Sequence, residues 1–277
     1  MAFPPDGPIL IVSPHLDDAA LSCSALIERA EPLDIVTTFT GRPVPAQQTE
    51  WDRACGFADS DAAVVGRLEE ERQAFEGTGH LVQRLELLES QYLTGPRGEA
   101  DRAAIGAWLT DWVDRAGPGA MVALPACAGR VYHAMERMVG TPRGSRRAVI
   151  KRLAGRPGRT LLAWLNRRVV LRHTPFVHGD HRAVRDAGLA ALAERDDVVV
   201  LLYEELPYLW GRPADDEVAR VAAALGRETR VVQVATDRAA KTVRIGAYRS
   251  QIGQLFTNGR PLDDPAGLPE VERYWFL

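Results

Sequence analysis

An unbroken apolar run near the N-terminus most restricts the fold of this chain. Residues 8–13 read Pro-Ile-Leu-Ile-Val-Ser, without the polar alternation of a strand that has one face in water. Such a run is typical of a strand buried on both faces of a parallel sheet. A helical pattern follows at 18–29, and a β-branched stretch at 33–39 ends before Gly41 and Pro43. Strand, helix and strand at this spacing predict a βαβ unit.

The same alternation continues along the chain. We predict further helices at 47–56, 61–76, 101–115, 181–194 and 238–255, and further strands at 121–124, 198–203 and 230–236. This pattern indicates an α/β fold, a Rossmann-like, doubly wound and mostly parallel sheet that binds ligands beyond the carboxyl ends of its strands. A chain of 277 residues buries roughly three quarters of its unfolded surface, so the core needs no disulfide or structural metal.

Charge and cysteine content exclude several classes of protein. The formal net charge of −3 gives no overall basic field for nucleic acid or an anionic membrane. Three cysteines, Cys23, Cys55 and Cys127, cannot form a full disulfide framework and suit a reducing compartment. The N-terminus lacks the basic and long apolar regions of a signal peptide or membrane span. We therefore predict a cytoplasmic protein with no nucleic-acid partner and no membrane span, and leave homo-oligomerisation open.

One segment departs from this balance. Residues 130–172 contain eleven arginines and Lys151 against the single acid Glu136, a net charge of +11. We interpret this segment as an Arg-rich insertion in a single domain that spans 1–277. Two roles remain open from the sequence: a solvated basic excursion, or a cap whose arginines hold an anionic part of a substrate.

Two clusters of histidine and aspartate lie at predicted junctions of a strand and a helix. Residues 13–18 read Ser-Pro-His-Leu-Asp-Asp, and residues 178–181 read His-Gly-Asp-His. A catalytic zinc site uses three nitrogen or oxygen ligands at ~2.0 to 2.2 Å and leaves a fourth position for water. One histidine and one aspartate from the first cluster and one histidine from the second would supply these ligands. The remaining side chains would serve as base and acid, unless the paired aspartates only cap a helix.

The two clusters resemble the paired motifs of the PIG-L/LmbE-like zinc-dependent N-deacetylase family, a His-Pro-Asp-Asp-Glu run and a later His-x-Asp-His. Here they stand as His15-Leu16-Asp17-Asp18-Ala19 and His178-Gly179-Asp180-His181. Similarity extends to segments 67–70, 203–208 and 248–251, and so to most of the chain except the basic insertion. Ala19 replaces the family's glutamate, which removes a carboxylate that could steady a ligand.

The resemblance implies a role for each residue of the first motif. His15, Asp18 and His181 would bind zinc or another divalent metal. Asp17 would be the general base that takes a proton from water at the metal.

For the second motif, the resemblance implies that His178 is the general acid and the partner of the oxyanion. Asp180 would orient His178 and favour its protonated form. Arg67 falls where the family has a substrate-contacting arginine, although a helix-surface salt bridge to Glu70 or Glu71 is the alternative.

These roles together imply a hydrolase that removes an N-acetyl or other N-acyl group from an amino-sugar-containing substrate. The partner would be a small N-acetylated sugar, such as an N-acetylglucosamine derivative, or a glycoconjugate. Two alternatives remain. The protein could be an amidase for a non-sugar amide, since a family fixes the bond type better than the substrate. It could also be an inactive relative that binds an anionic partner through the basic insertion.

Overall fold

A computed structural model describes residues 7–28, 32–127, 178–209, 214–255, 257 and 260–277. The described strands are β1 (Ile9–Ser13), β2 (Asp34–Thr37), β3 (Leu81–Arg84), β4 (Met121–Pro125), β5 (Val199–Tyr203), β6 (Arg230–Ala235) and β7 (Val271–Phe276). They form one seven-stranded sheet in the order β3-β2-β1-β4-β5-β7-β6. The first five strands pair in parallel, and β7 is antiparallel to β5 and β6. The predicted mostly parallel α/β sheet is confirmed.

Helices cover both faces of this sheet. They are α1 (Asp18–Ser22), α2 (Ser24–Ile27), α3 (Glu50–Ala54), α4 (Ser60–Ala74), α5 (Glu99–Ala116), α6 (Gly179–Ala191), α7 (Asp215–Ala224), α8 (Arg238–Ile245) and α9 (Arg249–Ile252). Successive residues of a strand point to opposite faces. Leu10 and Val12 accordingly join one apolar cluster with α5 and α6, while Ile9 and Ile11 join the cluster under α1 and α2. The apolar run of β1 is therefore buried on both faces, as predicted.

Some elements differ from the prediction. The helix expected at 18–29 is two short helices that break at Cys23, and the helix expected at 238–255 is also two. The structure also contains β3, α7 and β7, which were not predicted from the sequence. Strand β7 was missed because Glu272 and Arg273 interrupt its apolar pattern. Glu272 is nevertheless buried, since its Oε1 accepts a hydrogen bond of 2.6 Å from Lys241 Nζ.

Two further predictions concern the Arg-rich segment and the absence of a membrane span. The Arg-rich segment 130–172 lies outside the described residues. Within the described ranges, no helix has both the length and the apolar character that a bilayer crossing requires.

Candidate active site

The candidate site lies at the carboxyl ends of β1 and β4. The chain leaves β1 for β2 on one side, and β4 lies on the other side, so this edge is a switch point where α/β sheets bind ligands. The Ser13 hydroxyl donates to His15 O at 2.6 Å and accepts from Ala19 N at 3.0 Å. These two bonds hold the turn that carries the first motif at the edge of the sheet.

The structure brings the three predicted metal ligands together. Asp18 Oδ2 lies 3.2 Å from His15 Nδ1 and 3.2 Å from His181 Nε2. The two ring nitrogens are 3.3 Å apart. Donor atoms that bind one ion tetrahedrally at 2.0 to 2.1 Å lie about 3.3 to 3.4 Å from one another. The three side chains are therefore spaced as three corners of a tetrahedral metal site.

A carboxylate lies behind each of these two imidazoles. His15 Nε2 is 3.2 Å from Asp180 Oδ2, and His181 Nδ1 is 3.0 Å from Glu205 Oε1. In the tautomer that could bind a metal ion, the outer nitrogens carry the protons of the neutral rings and donate to these two carboxylates. The inner nitrogens then present lone pairs toward Asp18. Carboxylates commonly orient metal-binding histidines in this way.

The centre of this cluster favours positive charge. Burial would lower the pKa of His181, but Asp18 and Glu205 outweigh it and raise that pKa to about 9. His15 behaves alike: burial opposes the charged ring, while Asp18 and Asp180 raise its pKa well above the usual value. Three acceptor atoms that converge in a buried place repel one another unless a cation lies between them. The donor set therefore fits a divalent metal ion.

An alternative metal-binding set contains three histidines. Ring nitrogens of His15, His178 and His181 all lie within 4.8 Å of one another. In the set of His15, Asp18 and His181, the candidate ligand atoms lie closer together, 3.2 to 3.3 Å from one another. Two imidazoles with one carboxylate also match the common ligands of a catalytic zinc site. We therefore retain Asp18 in the proposed set.

Asp180 is held by several partners other than His178. Arg97 donates to Asp180 Oδ1 at 2.7 Å, and Ser90 N donates to Oδ2 at 2.9 Å. Arg97 also donates to Leu88 O at 2.8 Å and lies over the Phe39 ring at 3.9 Å. Burial raises the pKa of Asp180, but its hydrogen bond with His15, the charge of that ring and Arg97 outweigh burial and hold the pKa well below the usual range. The carboxylate is thus fixed in its charged form behind His15.

His178 differs from the prediction. Its Nδ1 accepts the backbone N–H of Asp180 at 3.3 Å at the start of α6, so the proton of the neutral ring lies on Nε2. Burial and the neighbouring His15 and His181 lower the pKa of His178 to about 3, although Asp180 raises it. Burial of the ring and its two imidazole neighbours thus outweigh the single carboxylate and favour neutral His178, whereas the sequence led us to expect the protonated form.

Asp17 is a buried carboxylate at the start of α1, with 6% of its surface exposed. Within the described part of the chain its side chain makes no capping hydrogen bond to this helix, so a capping role does not explain it. Burial and the charge of Asp18 raise its pKa to about 6, although Arg67 and His15 oppose this shift. A carboxylate with such a pKa exchanges protons near neutral pH.

Arg67 lies inside the protein, with 4% of its surface exposed. It forms a buried ion pair with Glu89. The alternative of a helix-surface salt bridge is wrong, because Glu70 accepts hydrogen bonds from Ser250 and Glu71 pairs with Arg84. The turn of α4 that carries Arg67 faces the core, which places its guanidinium beside Asp17.

A cavity of about 220 Å³ opens beside the cluster. It is lined by His15, Asp17, Trp51, Arg67, Glu89, Ser90, Gln91, His178, Asp180, Tyr208, Gln251 and Leu255. Five of the seven predicted site residues line it, and Asp18 and His181 lie directly behind His15. The proposed base, the proposed metal ligands and Arg67 therefore meet at one site.

Two residues that contact the second motif, Glu205 and Arg97, were not predicted from the sequence. Glu205 joins the ends of two strands, because Oε2 accepts Cys127 N at 2.6 Å while Oε1 contacts His181. Glu205 belongs to segment 203–208, which resembles the family, but no individual role was predicted for this glutamate. Arg97 lies in a loop without a recognisable pattern, and only its contact with Asp180 connects it to the site.

Comparison with known proteins supports the fold. No family model and no curated relative matches the sequence. The zinc-inhibited form of teicoplanin deacetylase Orf2 aligns with a TM-score of 0.60 at 20% identity over 97% of each chain. The A40926 pseudoaglycone deacetylase Dbv21 aligns with a TM-score of 0.60 at 20% identity, over 97% of this chain and 96% of that chain.

The same fold also occurs in a different type of enzyme. GalB, the 4-carboxy-2-hydroxymuconate hydratase from Pseudomonas putida KT2440, aligns with a TM-score of 0.51 at 12% identity, over 98% of this chain and 96% of that chain. Likeness at these identities shows the fold alone. Because one fold accommodates several reactions, the residues of the site determine which reaction a chain catalyses.

Proposed function

We propose that this chain is a metal-dependent hydrolase that removes an N-acetyl or other N-acyl group from an amino-sugar substrate. One observation carries the proposal. Nδ1 of His15, Oδ2 of Asp18 and Nε2 of His181 have the spacing of a tetrahedral metal site, and Asp17 lines the cavity beside them. Teicoplanin deacetylase Orf2 and the A40926 pseudoaglycone deacetylase Dbv21, two of the structural neighbours, support the removal of an acetyl or acyl group as the reaction.

His15, Asp18 and His181 would hold the metal ion. When bound, zinc lowers the pKa of water toward ~7 and polarises an acyl oxygen. Asp180 and Glu205 would keep the outer nitrogens of the two histidines protonated, so that the inner nitrogens stay available as ligands.

Asp17 would move the proton of the reaction. Its carboxylate accepts a proton from the attacking water, whose oxygen bonds to the acyl carbon. Asp17 then returns this proton to the amine nitrogen as the C–N bond breaks. With a pKa raised to about 6 by burial and by Asp18, one carboxyl group can serve as base and then as acid near neutral pH. The products are a free amine and a carboxylic acid, such as acetic acid, which loses its proton to solvent near neutral pH.

His178 would stabilise the acyl oxygen as a neutral donor. Its Nδ1 is used by the backbone N–H of Asp180, so Nε2–H is the donor that the ring offers. A fixed donor aimed at the developing negative charge contributes to rate without moving a proton. In this proposal His178 donates a hydrogen bond and does not act as the general acid. Arg67 and Glu89 would contact polar groups of the substrate.

A substrate panel tests the proposal. Zinc-loaded protein is incubated with methyl N-acetyl-β-D-glucosaminide and, separately, with N-acetyl-L-amino acids. We expect acetate from the N-acetyl sugar and little from the amino acids. Preference for the amino acids would instead support a non-sugar amidase. Bound zinc without acetate from any amide would support an inactive relative.

A further inference from the structure

Helix α3 occupies an unusual position beside the cavity. It has five residues, too few to be stable alone. Among the described residues, none of α3 belongs to an apolar core cluster. Asp52 is buried and Trp51 is half-buried, while Glu50, Arg53 and Ala54 are exposed. Apolar burial therefore does not explain why this helix forms here.

Polar contacts hold α3 in place instead. Thr49 and Asp52 form a reciprocal capping box at its start. Tyr92 OH donates to Asp52 Oδ1 at 2.8 Å, and Thr49 Oγ1 donates to Gln91 Oε1 at 2.8 Å. These bonds connect α3 to the segment 89–92, which also lines the cavity. The network fixes the helix relative to the site.

The side chain that this network positions is Trp51. Its ring lines the cavity together with Leu255. The indole Nε1–H donates to Gln251 Oε1 at 3.1 Å, and Gln251 is itself buried. Because the polar edge of the indole is satisfied and its position is fixed, the ring provides an apolar wall of the cavity.

Neighbouring groups provide a polar but charge-balanced wall. The charge of Arg67 is matched by Glu89, and Gln91 Nε2 donates to Glu89 Oε2 at 2.6 Å. The second N–H of that amide is a further donor. The cavity thus has an apolar wall and a polar wall. A pyranose ring matches both, because its C–H groups form an apolar face and its hydroxyls form a polar rim.

We propose, resting on the proposed function, that Trp51 is a specificity-determining residue that stacks on the pyranose ring that carries the N-acyl group. Gln91 and the pair of Arg67 and Glu89 then contact the ring hydroxyls. The substrate class is a closed-ring N-acyl amino sugar, as distinct from an open-chain N-acyl amine.

A pair of matched substrates tests this inference. Methyl N-acetyl-β-D-glucosaminide has a closed ring, while N-acetyl-D-glucosaminitol keeps the acetamide and the hydroxyls without the ring. Trp51→Ala should raise KM for the ring by ~10-fold or more, the equivalent of about 1.4 kcal/mol, and leave KM for the alditol unchanged. Trp51→Phe should have a smaller effect. Trp108→Phe, a half-buried tryptophan of α5, is the matched control and should change neither value.

Binding of the product sugar separates this inference from the activity. Saturation-transfer NMR measures the contact of methyl β-D-glucosaminide with the protein without turnover. Strong transfer to the ring C–H protons, lost in Trp51→Ala and kept in Trp108→Phe, would support the inference even if the protein released no acetate. If both proteins release acetate and the KM for the closed-ring substrate is the same in wild type and Trp51→Ala, the role of Trp51 is overturned and the proposed function still stands. Equal effects on both substrates would also overturn it, as would failure of the sugar to bind. Circular dichroism confirms that each variant folds.

Discussion

Nδ1 of His15 and Nε2 of His181 lie 3.3 Å apart, although 166 residues separate the two histidines in the chain. Each ring has a carboxylate behind it, Asp180 for His15 and Glu205 for His181. Asp18 Oδ2 lies 3.2 Å from both of these nitrogens and raises the pKa of both rings, so this place favours positive charge, from a proton or from a metal ion. This relationship is the basis of the metal-binding proposal, and the predictions below follow from it.

Removal of either histidine should remove the metal. We expect His15→Ala and His181→Ala to lose zinc during dialysis, because two protein ligands hold the ion too weakly. Elemental analysis of the dialysed proteins measures this. His80→Ala is the control, since His80 contacts the backbone of Ile27 and Leu33. Stoichiometric zinc in a histidine variant would remove that residue from the ligand set.

Asp17→Asn should separate binding from chemistry. The amide cannot accept the proton of water, so we expect the variant to keep its zinc and to lose at least ~10²-fold in kcat. Elemental analysis and the rate of acetate release give the two values on one sample. Turnover close to that of the wild type would assign the base to another residue.

Glu205→Gln should weaken the metal site without removing a ligand. Loss of the charge behind His181 lowers the basicity of that ring, and changes of this kind cost ~10 to 100-fold in metal affinity. Competition with a zinc chelator measures the Kd. Glu204→Gln is a matched control at the neighbouring position, and it should keep the affinity of the wild type. The same Kd in both variants would show that Glu205 does not support the metal.

Glu204 should make stability depend on pH. Burial raises the pKa of its carboxyl from 4.5 to about 7, although Arg273 opposes this. Between pH 4.5 and 7 the folded state therefore binds more protons than the unfolded state, so the free energy of unfolding falls as pH rises through this window. In the wild type we expect the free energy of unfolding to fall by roughly 1 to 3 kcal/mol between pH 5 and pH 8. Glu204→Gln should remove this fall. Denaturant unfolding at both values measures it, and equal declines in both proteins would refute the assignment.

Sequence patterns predicted the parts of the fold that rest on apolar burial. Strands β1 and β5 were found because their residues are almost all apolar and are buried on both faces. Strand β7 was not found, since Glu272 and Arg273 make it look polar. Burial of Glu272 depends on Lys241, which is 31 residues away in the chain. Such a partner is visible only after the chain has folded.

In the candidate site, too, residues that are adjacent in sequence could be predicted, and residues that meet only in the folded chain could not. The residues of both His/Asp motifs were identified because they are adjacent in sequence and follow predicted strands. Glu205 and Arg97 were missed, because they contact His181 and Asp180 across 24 and 83 residues. The conditions that favour neutral His178 could not be predicted either, since the rings of His15 and His181 come together around it only in the folded protein.

Acetate release during zinc titration tests the central claim most directly. Metal-free protein is titrated with zinc while acetate release from methyl N-acetyl-β-D-glucosaminide is measured. The account predicts no activity without metal, a rate that rises in proportion to added zinc up to one equivalent, and one free amine for each acetate. Acetate release by the metal-free protein would contradict the account, and so would one tightly bound zinc ion without any acetate.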